Sequence, residues 1–138
     1  MSIDLKALIE KQRAELEVVK SESVDVVVGG EKVTLTVEKV HPDVWDGLMQ
    51  RNPARPGSDS DVEAGYNTKG VTLAYPRLLQ DGEVLDEQTR ADLVSVLDST
   101  WRNALSIVIW GVNVNGPLSE LRALGKVPAG RKSPSPAN

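Results

Sequence analysis

The chain has 138 residues, enough for one domain with a modest core, and no cysteine, which excludes disulfides, thiolate chemistry and Cys-based zinc sites. Sixteen Lys and Arg stand against 20 Asp and Glu, for a formal net charge of -4. The one basic cluster, Lys126, Arg131 and Lys132, is too sparse to neutralise a run of phosphates, so nucleic acid is disfavoured as a partner.

Aromatics are scarce: three Trp, two Tyr and no Phe, so the core has to be built from Val, Leu, Ile and Ala. The longest apolar run, Ala104–Val112 with Ser106 inside it, is far short of the roughly 20 residues a bilayer span needs. The opening MSIDLKALIEKQ lacks the basic-then-apolar layout of a secretory signal. The expectation is a soluble cytoplasmic chain with no membrane partner.

Residues 3–20 read as a helix capped by Ser2 or Asp4, with Leu5, Leu8, Ile9, Leu16 and Val19 near one face. The stripe weakens at Gln12, so this helix is expected to dock loosely. Residues 23–39 carry the clearest local signal. SVDVVV, then Gly29-Gly30, then EKVTLTVEK predicts a hairpin with a type I′ turn, because both glycines can adopt positive φ. That turn pairs Val28 with Glu31, Val26 with Val33 and Val24 with Leu35. It puts Val24, Val26, Val33, Leu35 and Val37 on one face, and Asp25, Lys32, Thr34 and Thr36 on the other.

Pro42 and Asp43 suit the first turn of a helix over 42–51, striped by Val44, Trp45, Leu48 and Met49. Residues 52–58, NPARPGS, form a loop. Ser60 and Glu63 have capping-box spacing and predict a short helix start. Residues 65–70, with a glycine at each end, read as a loop. Residues 71–79 are expected to become helical around Pro76 and to bury Leu73, Leu78 and Leu79; Asp81-Gly82 is a turn. The principal helix is expected over 86–113, where Leu93, Val94, Leu97, Trp101, Ala104, Leu105, Val108 and Val112 recur at three- and four-residue steps. Asn115-Gly116-Pro117 should end it. A last short helix is expected over 119–124. From Pro128 the chain is Pro, Ser and Gly without an apolar period, and is expected to be disordered. The fold class is therefore α+β: an N-terminal helix, one hairpin (about 23–28 and 31–39), and a small helical bundle with a long helix over 86–113. It occupies a single domain, 1–127, with a tail at 128–138.

Around Ile107–Val112 that long helix has almost no polar side. Nine residues at about 100° each set Trp110 roughly opposite Trp101. One small domain can bury both only if the hairpin packs on one side of the helix and the helices of 42–79 on the other; otherwise Trp110 faces a partner. Catalytic equipment is thin. His41, the only histidine, lacks partners for a metal site or an acid–base pair, and reads as a surface residue at a helix start. Asp59, Asp61 and Glu63 alternate like a calcium loop, but Ala64 and Gly70 stand where such a loop needs glycine and glutamate. A solvated acidic stretch is the expectation there. Gly29-Gly30 is explained by its turn, with no phosphate-binding helix after it. No catalytic, cofactor-binding or metal residue is assigned, and no enzyme or cofactor is expected.

The order of features resembles a known family. A polar N-terminal helix leads to the hairpin VDVVVGGEKVTLTVEKV, then to HPDVWDGLM, a proline-rich loop, YPRLL, and STWRNALSIVIWGVNVN before a loose tail. This layout, over about 23–116, resembles the tail assembly chaperones of long-tailed bacteriophages, especially those of actinobacterial hosts. The resemblance implies a non-enzymatic protein of the host cytoplasm, absent from the mature virion. Such a protein coats the tape measure protein, keeps it soluble and helps recruit major tail tube protein. It also implies a longer form made by ribosomal frameshifting, with PAGRKSPSPAN suiting the point of divergence. The alternative is a small structural virion component, such as a head–tail joining or tail completion protein. A holdase needs apolar surface to exchange with its client, and an exposed hairpin edge could also build a homo-oligomer. Val27, Trp45, Ile107, Ile109 and Trp110 are the candidate interface positions.

Overall fold

Gly29 and Gly30 have φ of 59° and 81°, the two left-handed residues that a type I′ turn requires. In the computed structural model, which describes residues 3–125, they fold β1 (Ser21–Val28) onto β2 (Glu31–Glu38) in the expected register. Val28 lies opposite Glu31, Val26 opposite Val33 and Val24 opposite Leu35. Alternation then buries Val24, Val26, Leu35 and Val37 and half-buries Val33. Asp25 remains on the solvent face, where it accepts a 2.6 Å hydrogen bond from the Thr34 hydroxyl.

The sheet has two further strands that the sequence reading did not contain. The stretch 71–79 is not one helix about Pro76. Instead α4 (Thr68–Ala74) ends before the proline, and β3 (Leu78–Gln80) pairs antiparallel with β2. Pro76 disfavours helical backbone at the residue before it, and Tyr75 is extended, with φ -65° and ψ 119°. Leu78 and Leu79 are buried as expected, and Leu73 is half-buried. Asp81 and Gly82, with φ of 51° and 81°, turn the chain into β4 (Glu83–Val84). The order is β1-β2-β3-β4, antiparallel at each pairing.

The single helix expected over 86–113 is divided. Its first part, α5 (Glu87–Val96), begins at the N-cap Asp86, whose side chain accepts from Thr89 N–H. The chain then leaves helical geometry at Leu97, with ψ 138°, and re-enters it as α6 (Ser99–Trp110). Leu97 is buried, so the corner adds a core side chain. Arg102 closes the corner: its Nε donates to Val94 O at 2.8 Å and Nη2 to Ser95 O at 3.0 Å, satisfying carbonyls at the end of α5.

Nor does Asn115-Gly116-Pro117 stop the chain. A π-helical turn, Gly111–Asn115, carries α6 directly into α7 (Gly116–Ala123). Pro117 sits in the first turn of α7. Asn113 holds the wide turn: Nδ2 donates to Ile109 O and to the Tyr75 hydroxyl, both at 2.9 Å, while Oδ1 accepts from Val40 N–H.

Elsewhere, α1 (Leu5–Leu16) is capped by Asp4 and buries no residue, in keeping with the expected loose docking. In α2 (Pro42–Arg51), His41 is the exposed N-cap, its Nδ1 accepting from Asp43 N–H. The next helix, α3 (Asp59–Ala64), starts at Ser58, not Ser60. The stretch 65–70, expected as a loop, is one only as far as Asn67, which caps α4 by accepting from Gly70 N–H. Gly70 is a close approach rather than a breaker, since a Cβ there would lie 2.2 Å from Asn52 Oδ1. One apolar core joins the sheet to α2, α4, α5, α6 and the π turn. The tail expected to be disordered, 128–138, lies outside the described residues, as do Lys126, Arg131 and Lys132.

Candidate functional site

The helix α6 packs against β1 and β2 and also against α4, which answers the problem posed by its apolar girth. Leu105 and Ile109 are fully buried, while Trp101, Val108 and Trp110 are half-buried against the core. The side of α6 that the sheet leaves uncovered forms, with α3 and α4, an open groove of about 1000 Å³. Most of its lining is polar, Glu63, Lys69, Arg102 and Asn103 included, and Ile107 and Trp110 are the large apolar side chains it leaves in part exposed. Ile107 is 58% exposed, and Trp110 lies one helical turn further along the same wall.

A polar clamp beneath the groove fixes its α3–α4 wall. Asp61, with no solvent-accessible surface, accepts from Arg55 N–H at 2.9 Å and Arg55 Nε at 2.7 Å on one oxygen. Its other oxygen accepts from Arg55 Nη2, Thr68 N–H and the Thr68 hydroxyl, at 3.1–3.2 Å. The Arg55 guanidinium, above all, holds the Asp61 carboxyl well below the usual carboxylate range, against the cost of burial. One side chain thus ties the 52–58 loop to α3 and to the start of α4. The expected solvated acidic stretch is corrected here: Asp59 and Glu63 are exposed, but Asp61 is a buried structural anion. Nearby, the Tyr66 phenol, pushed up to about 12 by burial, stays protonated, and its ring meets Trp45 edge-on at 5.5 Å.

Of the five positions expected at an interface, the structure brings Ile107 and Trp110 together on the groove. Val27 is 38% exposed on the far face of the hairpin, apart from them. Trp45 and Ile109 are corrected to core residues, at 6% and 1% exposure. Trp45 faces inward because α2 turns its Trp45–Leu48 stripe to the core, against Tyr66 and α4, and Ile109 because it continues the Leu105 face of α6. The sequence reading missed further exposed apolar side chains on α1, where Leu5 is 66% exposed and Leu8 and Ile9 are also uncovered. Their helical spacing was visible; that none of the described residues covers them was not.

Among the described residues, no group of three or more His, Asp or Glu stands where it could hold a metal ion, and no helix is long and apolar enough to cross a membrane. No protein-family model matches the chain, and no curated protein or solved structure matches it.

Proposed function

We propose that this protein is a phage tail assembly chaperone that binds the tape measure protein in the host cytoplasm and keeps it soluble while tail tube subunits assemble. The observation that carries the reading is the groove along α6, where Ile107 stands uncovered and Trp110 half-covered on a helix anchored in the core by Leu105 and Ile109. Exposed apolar anchors beside a concave wall suit transient capture of an apolar stretch of polypeptide. The uncovered Leu5, Leu8 and Ile9 of α1 provide a second apolar strip, and the net charge of -4 favours solubility of the loaded complex. The layout of the sequence, set out above, supplies the class of client.

Co-expression with a tape measure protein tests the reading. The client is expected to move into the soluble fraction with the wild-type chain and to return to the pellet with Ile107→Glu. A client no more soluble with the wild-type chain than without it removes the proposal. Mass spectrometry of purified particles separates a chaperone, absent from finished virions, from a structural virion component.

A further inference from the structure

We infer that the free edge of β1 pairs with β1 of a second copy, antiparallel about a twofold axis at Val24, making one eight-stranded sheet. The hydrogen-bond parity of the hairpin settles which groups are free. Lys39 N–H donates to Lys20 O, so even-numbered residues of β1 face β2 in the register observed. The backbone groups of Ser21, Ser23, Asp25 and Val27 therefore point away from the sheet, and among the described residues none of them has a hydrogen-bond partner.

This edge carries two charges, Glu22 and Asp25, but none of the stronger blocks to pairing. The strand SESVDVVV has no lysine and no proline, and its register with β2 runs through eight consecutive pairs without a bulge. The opposite edge, β4, is two residues long and offers no comparable ladder.

The sequence of β1 selects the register. With Val24 opposite Val24 of the second copy, Ser21 meets Val27 and Ser23 meets Asp25, so every free edge residue is used within the strand. Asp25 then faces a hydroxyl donor, while its other contact, Thr34, stays within its own hairpin. A shift that sets Asp25 opposite Asp25 places like charges against each other, which is unfavourable. A shift the other way, with Ser23 opposite Ser23, takes Val27 beyond the start of the partner strand. In the favoured arrangement both copies of α6 lie on the same face of the sheet. This inference goes beyond client binding and stands whether or not a tape measure protein is the client.

Sedimentation of the full chain, with two substitutions at the exposed Ser23, tests it. The wild-type chain is expected to form a dimer. Ser23→Lys sets two lysines against the two Asp25 carboxylates and should tighten the dimer roughly three- to tenfold, while Ser23→Asp should weaken it by a similar factor. Val24→Cys, in a chain with no other cysteine, should give a disulfide-linked dimer on mild oxidation, because directly opposed non-hydrogen-bonded residues approach within disulfide range. A chain that stays monomeric at its highest soluble concentration overturns the inference. So does a dimer that both Ser23 variants weaken, or that neither alters. Circular dichroism of each variant confirms that the hairpin has folded.

Discussion

Asp61 shows how much one side chain can organise when it is shut away from water. It is a carboxylate with five donors from two segments, and removing it orphans the N–H groups of Arg55 and Thr68 together. Asp61→Ala is expected to cost about 2–3 kcal/mol in denaturant unfolding. Its pH dependence has a definite sign. The folded carboxyl is depressed below its ordinary value of 3.8, so the clamp contributes in full above that value. Its contribution is lost progressively as pH falls from there towards the folded value. Acid unfolding of the wild-type chain should therefore steepen below about pH 4, and the Asp61→Ala curve should be flatter over that window. Tyr75 has an analogous role on the other side of the core. Its hydroxyl donates to Glu38 O and accepts from Asn113, and burial pushes its phenol up to about 12. Tyr75→Phe should cost about 1–2 kcal/mol by thermal or chemical melting.

At the scale of elements, the corner between α5 and α6 is built into the core, whereas α1 adds no buried side chain to it. The corner exists because Leu97 is more useful in the core than in a continuous helix, and Arg102 caps the carbonyls that the break exposes. Periodicity carries no sign of this, since the three- and four-residue steps run straight across it. Asp98-Ser99-Thr100, a run that favours helix starts over helix interiors, was the local cue. By contrast α1 buries nothing. Removing residues 1–16 should leave the unfolding free energy within about 0.5 kcal/mol of the full chain, as for other surface changes. A clear drop on that deletion would mean that α1 docks in solution. The hairpin's register was legible to the residue, though not its ends, because turn chemistry and alternation constrain the same register independently; β3 and β4 were not, being too short for any period to show.

For the whole molecule, the distinction that matters on α6 is between Leu105 and Ile107, two residues apart and on different sides of the helix. Leu105→Ala should cost about 2–5 kcal/mol of stability, as cavities in packed cores do. Ile107→Glu should leave stability within about 0.5 kcal/mol while removing client solubilisation. Measuring unfolding and solubilisation on the same two variants separates a packing defect from a binding defect. If Ile107→Glu unfolds the chain instead, the groove wall is core and not a surface.

The sequence alone determined what depends on neighbours in the chain: the Gly29-Gly30 turn and its register, the α2 stripe, the α+β class, and the presence of an apolar helix that needs cover on more than one side. Tertiary structure alone decided which side stays bare. Trp45, Ile109, Ile107 and Trp110 are all apolar residues at helical spacing, and only the positions of the sheet and α4 make two of them core and leave the other two on a groove. The same holds for Asp61, which in sequence is one of several acidic residues and in space lies under Arg55. Burial and hydrogen-bond partnership are properties of what lies across a contact, and that partner is seldom adjacent in the chain.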